Sequence, residues 1–304
     1  MKLLGSAAGL AGLPGAQGLL AEQDATGPLE TVAVADNVFA IRGGGSNCIV
    51  VYGPDEILLI DGGLKARTAG IITEIRRIGG NLPIHTLFNT HWHVEGTGLN
   101  EALGSQGTQI IANENTRLWM TVDVDVKWEH RVYDPLPEVA WPNDTFYDGS
   151  RTITAAGHRV EYGLMPQAHT DGDIYVFLPG PNVLAAGGVV SVGSYPIIDW
   201  CSGGWCRGIT DATKQILDIA NDDTKIVPAQ GPVLMRADVQ AQYDMLHTVT
   251  ERLVKFMQSG YSADDMIAAH PTAEFDAVWG NPELFIRNSY PGLWGHAREL
   301  GKII

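Results

Sequence analysis

Two histidines separated by one residue, His91 and His93, form the part of the sequence whose spacing has the clearest chemical meaning. They follow a predicted strand, His85–Asn89. Because residues i and i+2 of an extended chain point to the same side, both imidazoles can reach one cation. A third ligand must come from elsewhere, and His169 is the best candidate because it opens a polar turn between two predicted strands. Three histidines with one open position form a known ligand set for catalytic zinc.

The elements around the first two histidines alternate between strands and a helix. Short apolar runs separated by turn residues predict strands over Val32–Ala35, Val38–Ile41, Cys48–Tyr52, Ile57–Ile60 and His85–Asn89. Isoleucines at helical spacing then mark one apolar helix face: Ile71, Ile72, Ile75 and Ile78.

The second half of the chain begins again with strands. These are predicted over Thr152–Thr154, Arg159–Leu164, Asp173–Leu178, Val183–Ala185 and Ile226–Val227. Three helices are predicted: Asp211–Ala220 with Asp211 near its cap, a long amphipathic helix from Val239 to Phe256, and one capped by Ser262 with Asp265. Two such halves predict an α/β fold in which two sheets form the core and helices lie outside.

The histidine segment Asn89–Gly98 resembles the His-x-His-x-Asp-His loop of the metallo-β-lactamase superfamily. Four further segments resemble that family's motifs in its order: Leu59–Gly63, Pro166–Thr170, Val183–Gly188 and Pro228–Pro232. The resemblance extends roughly over residues 30–235 and implies a four-layer αβ/βα sandwich of the metallo-β-lactamase type.

The departures from that family fall at one metal position. Glu95 stands where the family has Asp, Gly96 and Gln230 where it has His, and Gly188 where it has a bridging acid. In the family these positions mostly build the second metal site. The resemblance therefore implies a degenerate second site beside an intact first site made by His91, His93 and His169.

The resemblance also suggests roles for the residues near the three histidines. Glu95 is expected to take a proton from an attacking water, to orient that water, or to act as a fourth ligand, and a solvated loop acid is the alternative. Asp61 is expected to support catalysis by orienting a ligand histidine or a loop amide, and a carboxylate that only caps the end of its strand is the alternative. Gln230 and Trp92 are expected to contact substrate, with simple packing as the alternative.

The expected cofactor is one divalent metal ion. Zn²⁺ is the first expectation, Fe is an alternative, and a metal-free site is a third because three neutral ligands hold an ion less firmly than a set with carboxylates. The predicted function is that of a hydrolase-like enzyme that acts on a small organic ester, lactone or related molecule. The alternatives are a lyase, isomerase or mononuclear iron oxygenase on the same fold, or a metal-free binding protein.

Composition limits the partners that this chain can have. The 304 residues carry a formal charge of −15, so phosphate backbones and anionic lipid surfaces are repelled, and neither nucleic acid nor membrane is an expected partner. Aromatic residues concentrate in Trp128–Trp141 and Trp200–Trp205, where they could wall a pocket for an apolar small molecule or simply pack. The tail Phe285–His296 could be a lid, a homodimer contact or an ordinary packed extension.

The N-terminal segment and the cysteines bear on the cellular compartment. Residues 1–28 are predicted to be an arm or a signal-like segment, and residues 29–304 a single domain with a C-terminal helical extension. Residues 1–21 are small and mostly apolar, which favours a periplasmic or secreted location over a cytoplasmic one. Cys201 and Cys206 could pair in an oxidising compartment, or both could be free thiols.

Overall fold

A computed structural model describes residues 27–300 of the chain. The predicted signal-like segment, residues 1–21, lies outside the described residues, so its fate and the compartment that it would indicate stay predictions. Among residues 27–300, no helix combines the length and the apolar character that a membrane crossing requires.

Fourteen strands form two large sheets and one small hairpin among the described residues. They are β1 (Glu30–Ala35), β2 (Val38–Arg42), β3 (Cys48–Tyr52), β4 (Ile57–Ile60), β5 (Ile84–Phe88), β6 (Gln109–Asn113), β7 (Val124–Val126), β8 (Arg131–Tyr133), β9 (Asp144–Phe146), β10 (Ser150–Ala155), β11 (His158–Leu164), β12 (Ile174–Leu178), β13 (Val183–Gly187) and β14 (Lys225–Pro228). One sheet has the order β1-β2-β3-β4-β5-β6-β9, the other has the order β10-β11-β12-β13-β14, and β7 pairs with β8 alone.

Ten α-helices lie between these strands in the described part of the chain. They are α1 (Thr68–Gly79), α2 (Val94–Thr97), α3 (Asn100–Gly104), α4 (Glu114–Met120), α5 (Cys206–Ile219), α6 (Arg236–Gln258), α7 (Ala263–Ala268), α8 (Asp276–Trp279), α9 (Glu283–Gly295) and α10 (Ala297–Leu300). The predicted capping box is confirmed, because the Ser262 hydroxyl accepts from the Asp265 N–H and the Asp265 side chain accepts from the Ser262 N–H.

Alternation along the strands divides the apolar side chains into three layers. In β3, Ile49 and Val51 face the second sheet, whereas Cys48 and Val50 face α1 and α3. The second sheet behaves likewise, since Ile174 and Val176 face the first sheet while Tyr175 joins the core under α5 and α6. Helices therefore cover the outer faces of two stacked sheets, and the predicted four-layer αβ/βα sandwich is confirmed.

Two regions differ from the sequence prediction. Helix α5 begins at Cys206 rather than near Asp211, because Trp205 is the extended residue that precedes its first turn. The hydroxyl groups of Thr210 and Thr213 donate hydrogen bonds to the carbonyl oxygens one turn earlier in the helix. These buried polar side chains therefore have partners, and the segment stays helical. Sequence patterns also gave no signal for the hairpin of β7 and β8, whose strands are only three residues long.

The histidines lie on loops at one edge of both sheets. The first two follow β5, which is parallel to its neighbours β4 and β6. His169 lies on the loop from β11 to β12. Two buried asparagines anchor the loop that carries His91 and His93. The side-chain amides of Asn89 and Asn100 exchange two hydrogen bonds of 3.0 and 2.8 Å. This pairing holds the end of β5 against the start of α3.

Candidate metal centre

The three predicted ligands converge although His169 is far away in sequence. One ring nitrogen from each of His91, His93 and His169 lies within 4.8 Å of the other two. The residues are 1%, 8% and 4% exposed, respectively, so the centre is shielded from bulk water. The predicted trio is therefore brought together.

The protein fixes one nitrogen of both His93 and His169 and directs the other nitrogen inward. The Nδ1–H of His169 donates to the Ile197 carbonyl oxygen at 2.9 Å, because a carbonyl can only accept. The Nε2–H of His93 donates to the Asp199 carboxylate at 3.1 Å. The remaining nitrogens, His93 Nδ1 and His169 Nε2, face each other at 3.1 Å.

His91 is oriented by a relay that starts at Asp61. The Asp61 carboxylate accepts from the Thr90 N–H at 2.8 Å and from the Thr90 hydroxyl at 2.7 Å. Since that hydroxyl proton goes to Asp61, the hydroxyl oxygen accepts from His91 Nδ1, which lies 3.0 Å away. Burial raises the pKa of Asp61 to about 7, so the relay has this form above that pH. His91 then keeps its Nε2 lone pair for the centre.

Three imidazole lone pairs that face one point require a positive charge between them. Without a metal ion, a proton supplies it. Burial lowers the pKa of His93, but the carboxylates of Glu95 and Asp199 outweigh this effect and raise that pKa to about 10. Burial and the charge of His93 lower the pKa of His169 to about 4. Because a divalent cation can replace that single proton, the three-nitrogen donor set fits Zn²⁺ or a similar ion.

Asp199 is a site residue that the sequence analysis missed. It is fully buried, and it binds His93 on the side away from the centre. Its other partners are the Trp128 indole N–H at 3.0 Å and the Ser202 hydroxyl. The available signal was an acidic residue directly after two isoleucines, Ile197 and Ile198, since a carboxylate in such a run must be buried with partners.

Comparisons with known proteins agree with this geometry. Residues 41–231, more than half of the chain, match the family model described as the metallo-beta-lactamase superfamily. The chain belongs to the metallo-β-lactamase superfamily. No curated protein sequence matches it.

Solved structures of this superfamily share the fold at low sequence identity. The inverting sec-alkylsulfatase Pisa1 from Pseudomonas sp. has a TM-score of 0.70 at 14% identity, over 87% of this chain and 50% of that one. A metallo-β-lactamase from Pontibacter korlensis has a TM-score of 0.56 at 20% identity, over 72% of this chain and 99% of that one. The DIM-1 metallo-β-lactamase has a TM-score of 0.59 at 18% identity, over 73% of this chain and 98% of that one. The chain thus spans about half the length of the alkylsulfatase and nearly all of the two lactamases.

Glu95, at the superfamily's Asp position, lies beside the centre. Its Oε1 is 3.5 Å from His93 Nδ1, and its side chain is 21% exposed. Burial raises the pKa of Glu95, but the charge of His93 outweighs burial and lowers that pKa to about 2. The carboxylate is therefore ionised at neutral pH.

The space around Gly188, predicted to replace a bridging acid, is filled by the ring of His169. A Cβ atom built on Gly188 would lie 2.3 Å from Cδ2 of the His169 ring, so a side chain there requires His169 to move. Gly96 is different, because a Cβ atom would meet Asp61 at an ordinary 3.5 Å. A side chain at position 188 is thus incompatible with this position of His169, whereas Gly96 has room for a Cβ atom.

The two residues predicted to contact substrate differ in their burial. Trp92 is 3% exposed, its indole N–H donates to the Ser202 hydroxyl at 3.0 Å, and its ring meets His93 edge-on with centroids 4.6 Å apart. Gln230 is exposed and lines a surface pocket. Their contacts with substrate stay predictions.

The aromatic residues of Trp128–Trp141 form a packed cluster around Trp92, whereas Trp205 packs into the core under α5 and α6. The members of the cluster are Trp92, Trp119, Met120, Val124, Val126, Trp128, Tyr133, Leu136 and Trp141. Cys201 and Cys206, the first residue of α5, are both free thiols.

Proposed function

We propose that the protein is a metal-dependent hydrolase that uses one divalent ion to cleave a small organic ester or lactone. One observation carries the proposal. One nitrogen of each histidine is held by a hydrogen bond to the protein, and the other nitrogen faces a point that the three rings share. A structural histidine cluster has no need for three inward lone pairs, whereas a metal site requires them.

His91, His93 and His169 would hold the ion. When bound there, Zn²⁺ supplies Lewis-acid chemistry, which makes water acidic enough to react near pH 7 and polarises a substrate oxygen. Asp199, Ile197 and the Thr90–Asp61 relay keep the imidazoles in the tautomers that such an ion needs.

Glu95 is the group that moves a proton. A His93 that ligates a metal ion must be neutral, so the charge that lowers the pKa of Glu95 would be gone; the Oε1 of Glu95 would then take the proton of the attacking water and return it to the leaving oxygen. A general base needs hydrogen-bond reach before a suitable pKa, and the 3.5 Å contact with His93 Nδ1 places this oxygen at the centre. The closed bridging-acid position at Gly188 supports a single ion rather than two.

We infer the substrate class from the burial of the three histidines and from the solved structures that share the fold. The three histidines are almost fully buried, so the reacting group must be small. By their names, the solved neighbours are β-lactamases and an alkylsulfatase, two classes of hydrolase that cleave different bonds. An ester or lactone is the simplest substrate that a water activated at this centre could attack.

The test combines metal analysis with isotope labelling. The purified chain should bind one equivalent of Zn²⁺ and hydrolyse members of an ester and lactone panel, with one ¹⁸O from labelled water in the carboxylic acid that is released. The double variant His91→Ala, His169→Ala should lose both properties, and Glu95→Gln should lose the reaction but keep the metal. His247→Ala is a matched control, because His247 lies on the surface of α6. Products without ¹⁸O would instead indicate a lyase or isomerase, and turnover by the double variant would exclude the metal centre.

A further inference from the structure

A surface pocket of about 230 Å³ lies beside the loop after β2, which is hydrogen-bonded to the Glu95 backbone. Two loops line it, Gly43–Asn47 after β2 and Gln230–Gly231 after β14. The rest of the lining comes from Arg42 and from Gly27, Pro28 and Glu30. Because both loops leave the same edge of the sandwich as the histidines, the pocket is on the side from which a substrate could approach Glu95.

Hydrogen bonds fix this pocket to the centre. The Ser46 N–H donates to the Glu95 carbonyl oxygen at 2.9 Å, so one wall of the pocket is attached to the residue that we propose as the base. The Asn47 amide donates to the Pro228 and Gly231 carbonyl oxygens at 2.9 and 3.0 Å, which joins the two walls.

The pocket wall also has a glycine that no other residue can replace without strain. Gly45 has a φ of +104°, and a Cβ atom there would lie 2.7 Å from Leu64 Cγ. The backbone of this pocket residue therefore passes closely between Leu64 and Glu95.

Arg42 gives the pocket a positive charge that is only loosely paired. Its Nη1 lies 3.5 Å from Glu30 Oε2, which is longer than the 2.7–2.9 Å that is usual for a charge-assisted hydrogen bond. The Glu30 side chain is 65% exposed, and surface pairs of this kind contribute about 1 kcal/mol or less. An incoming anion can therefore displace Glu30 from the guanidinium.

Gln230 adds an uncharged donor on the facing wall. Among the described residues, the Gln230 side chain makes no hydrogen bond, and this side chain is exposed at the pocket. A carboxylate offers two oxygens in a plane, which matches the fork of Arg42 and leaves a lone pair for an amide N–H.

We infer that this pocket binds the carboxylate end of the substrate, through Arg42 and Gln230, while the ester group reaches Glu95. The inference rests on the proposed hydrolase function and narrows it to esters of small organic acids that keep a free carboxylate. The pocket volume equals about eight waters at ~30 Å³ each, which suits a short dicarboxylate skeleton.

A binding experiment tests the pocket without turnover. Glutarate is titrated into the full chain by calorimetry, with and without Zn²⁺, and dimethyl glutarate serves as the uncharged probe. Glutarate should bind and dimethyl glutarate should not. Arg42→Gln should weaken binding by roughly tenfold or more, as for loss of a charged hydrogen-bond partner. Glu30→Gln should tighten it, because the competing carboxylate is gone. Arg77→Gln on α1, whose side chain is paired with Glu74 at 2.8 Å, is the control and should bind like the parent.

A kinetic arm separates the two proposals. Monophenyl glutarate should be hydrolysed with a higher kcat/KM than its methyl ester, and Arg42→Gln should reduce that ratio through KM. Glutarate binding that depends on Arg42, without hydrolysis of either ester, would support the pocket and overturn the hydrolase. Hydrolysis with equal rates for both esters, or glutarate affinity that is the same in Arg42→Gln and in the parent, would overturn the pocket and leave the hydrolase intact.

Discussion

Thr90 connects a buried carboxylate to a metal-ligand candidate through a single hydroxyl group. Its oxygen lies 2.7 Å from Asp61 Oδ2 and 3.0 Å from His91 Nδ1. Without that hydroxyl, either nitrogen of His91 could carry the proton, and only one of the two tautomers offers Nε2 to the centre. Control of the tautomer is therefore a property of residue 90 rather than of the histidine itself.

Thr90→Val should accordingly weaken Zn²⁺ binding while leaving all three histidines in place. Removal of a group that hydrogen-bonds a metal ligand typically lowers the metal affinity by roughly 10- to 100-fold, and we expect a loss in that range. Competition with a chromophoric chelator measures it. Thr90→Ser keeps the hydroxyl and should retain most of the affinity. Equal affinity in the valine and serine variants would remove the relay from the account.

Ser46 is a residue whose hydroxyl has no hydrogen-bond partner although it is buried. The side chain is 1% exposed among the described residues, and such a group costs about 1–3 kcal/mol of stability. Ser46→Ala should therefore raise the melting temperature by about 2–4 °C per kcal/mol recovered. Ser105→Ala is the control, since the Ser105 hydroxyl donates to the Glu101 carbonyl oxygen at 2.7 Å and is exposed. A lower melting temperature for Ser46→Ala would reveal a bound water or other partner of this hydroxyl.

At the scale of elements, the hairpin of β7 and β8 is attached to the ligand network by its connecting segment. The Trp128 indole N–H donates to Asp199 Oδ1, and the Lys127 N–H donates to Cys201 Sγ at 3.4 Å. Because Asp199 also binds His93, the hairpin and the centre share one buried carboxylate. A change that loosens the hairpin should therefore weaken the hydrogen bond that orients His93.

Trp128→Phe keeps the aromatic packing but deletes the indole donor. We expect amide protection in Val124–Tyr133 to fall by roughly tenfold in hydrogen exchange, as for the loss of one hydrogen bond to a charged group. Trp141→Phe is matched to it, because it lies in the same cluster and loses only a bond to the Leu136 carbonyl oxygen. Unchanged protection in Trp128→Phe would mean that packing alone holds the hairpin.

The sequence predicted those elements whose own residues decide their structure. The bounds of β3 and β4 were predicted to the residue, because continuous apolar runs between turn residues need burial on both faces. His91, His93 and His169 could be predicted as a trio because the ligand chemistry restricts the residue types. Asp199 could not, since its role depends on where the loop after Gly188 returns, and that path is set by packing against α9 and the hairpin.

At the scale of the whole molecule, the centre joins the two halves of the sandwich. His91 and His93 follow a strand of the first sheet, and His169 lies on a loop of the second. A bound ion would therefore link segments that are 76 residues apart in sequence. Since the unfolded chain has no such site, the free energy of metal binding adds to the free energy of unfolding.

Zn²⁺ should consequently raise the melting temperature of the whole domain. At a free concentration 100 times the dissociation constant, a ligand adds about 2.7 kcal/mol of stability, and for a domain of this size each kcal/mol raises the melting temperature by about 2–4 °C. We expect a rise of roughly 5–10 °C on this basis, reversed by a chelator and absent in the His91→Ala, His169→Ala double variant. The His247→Ala control should show the full rise. A shift of the same size in the double variant would place the metal elsewhere on the protein, and no shift in the parent would mean that the shared proton on His93 outcompetes the ion.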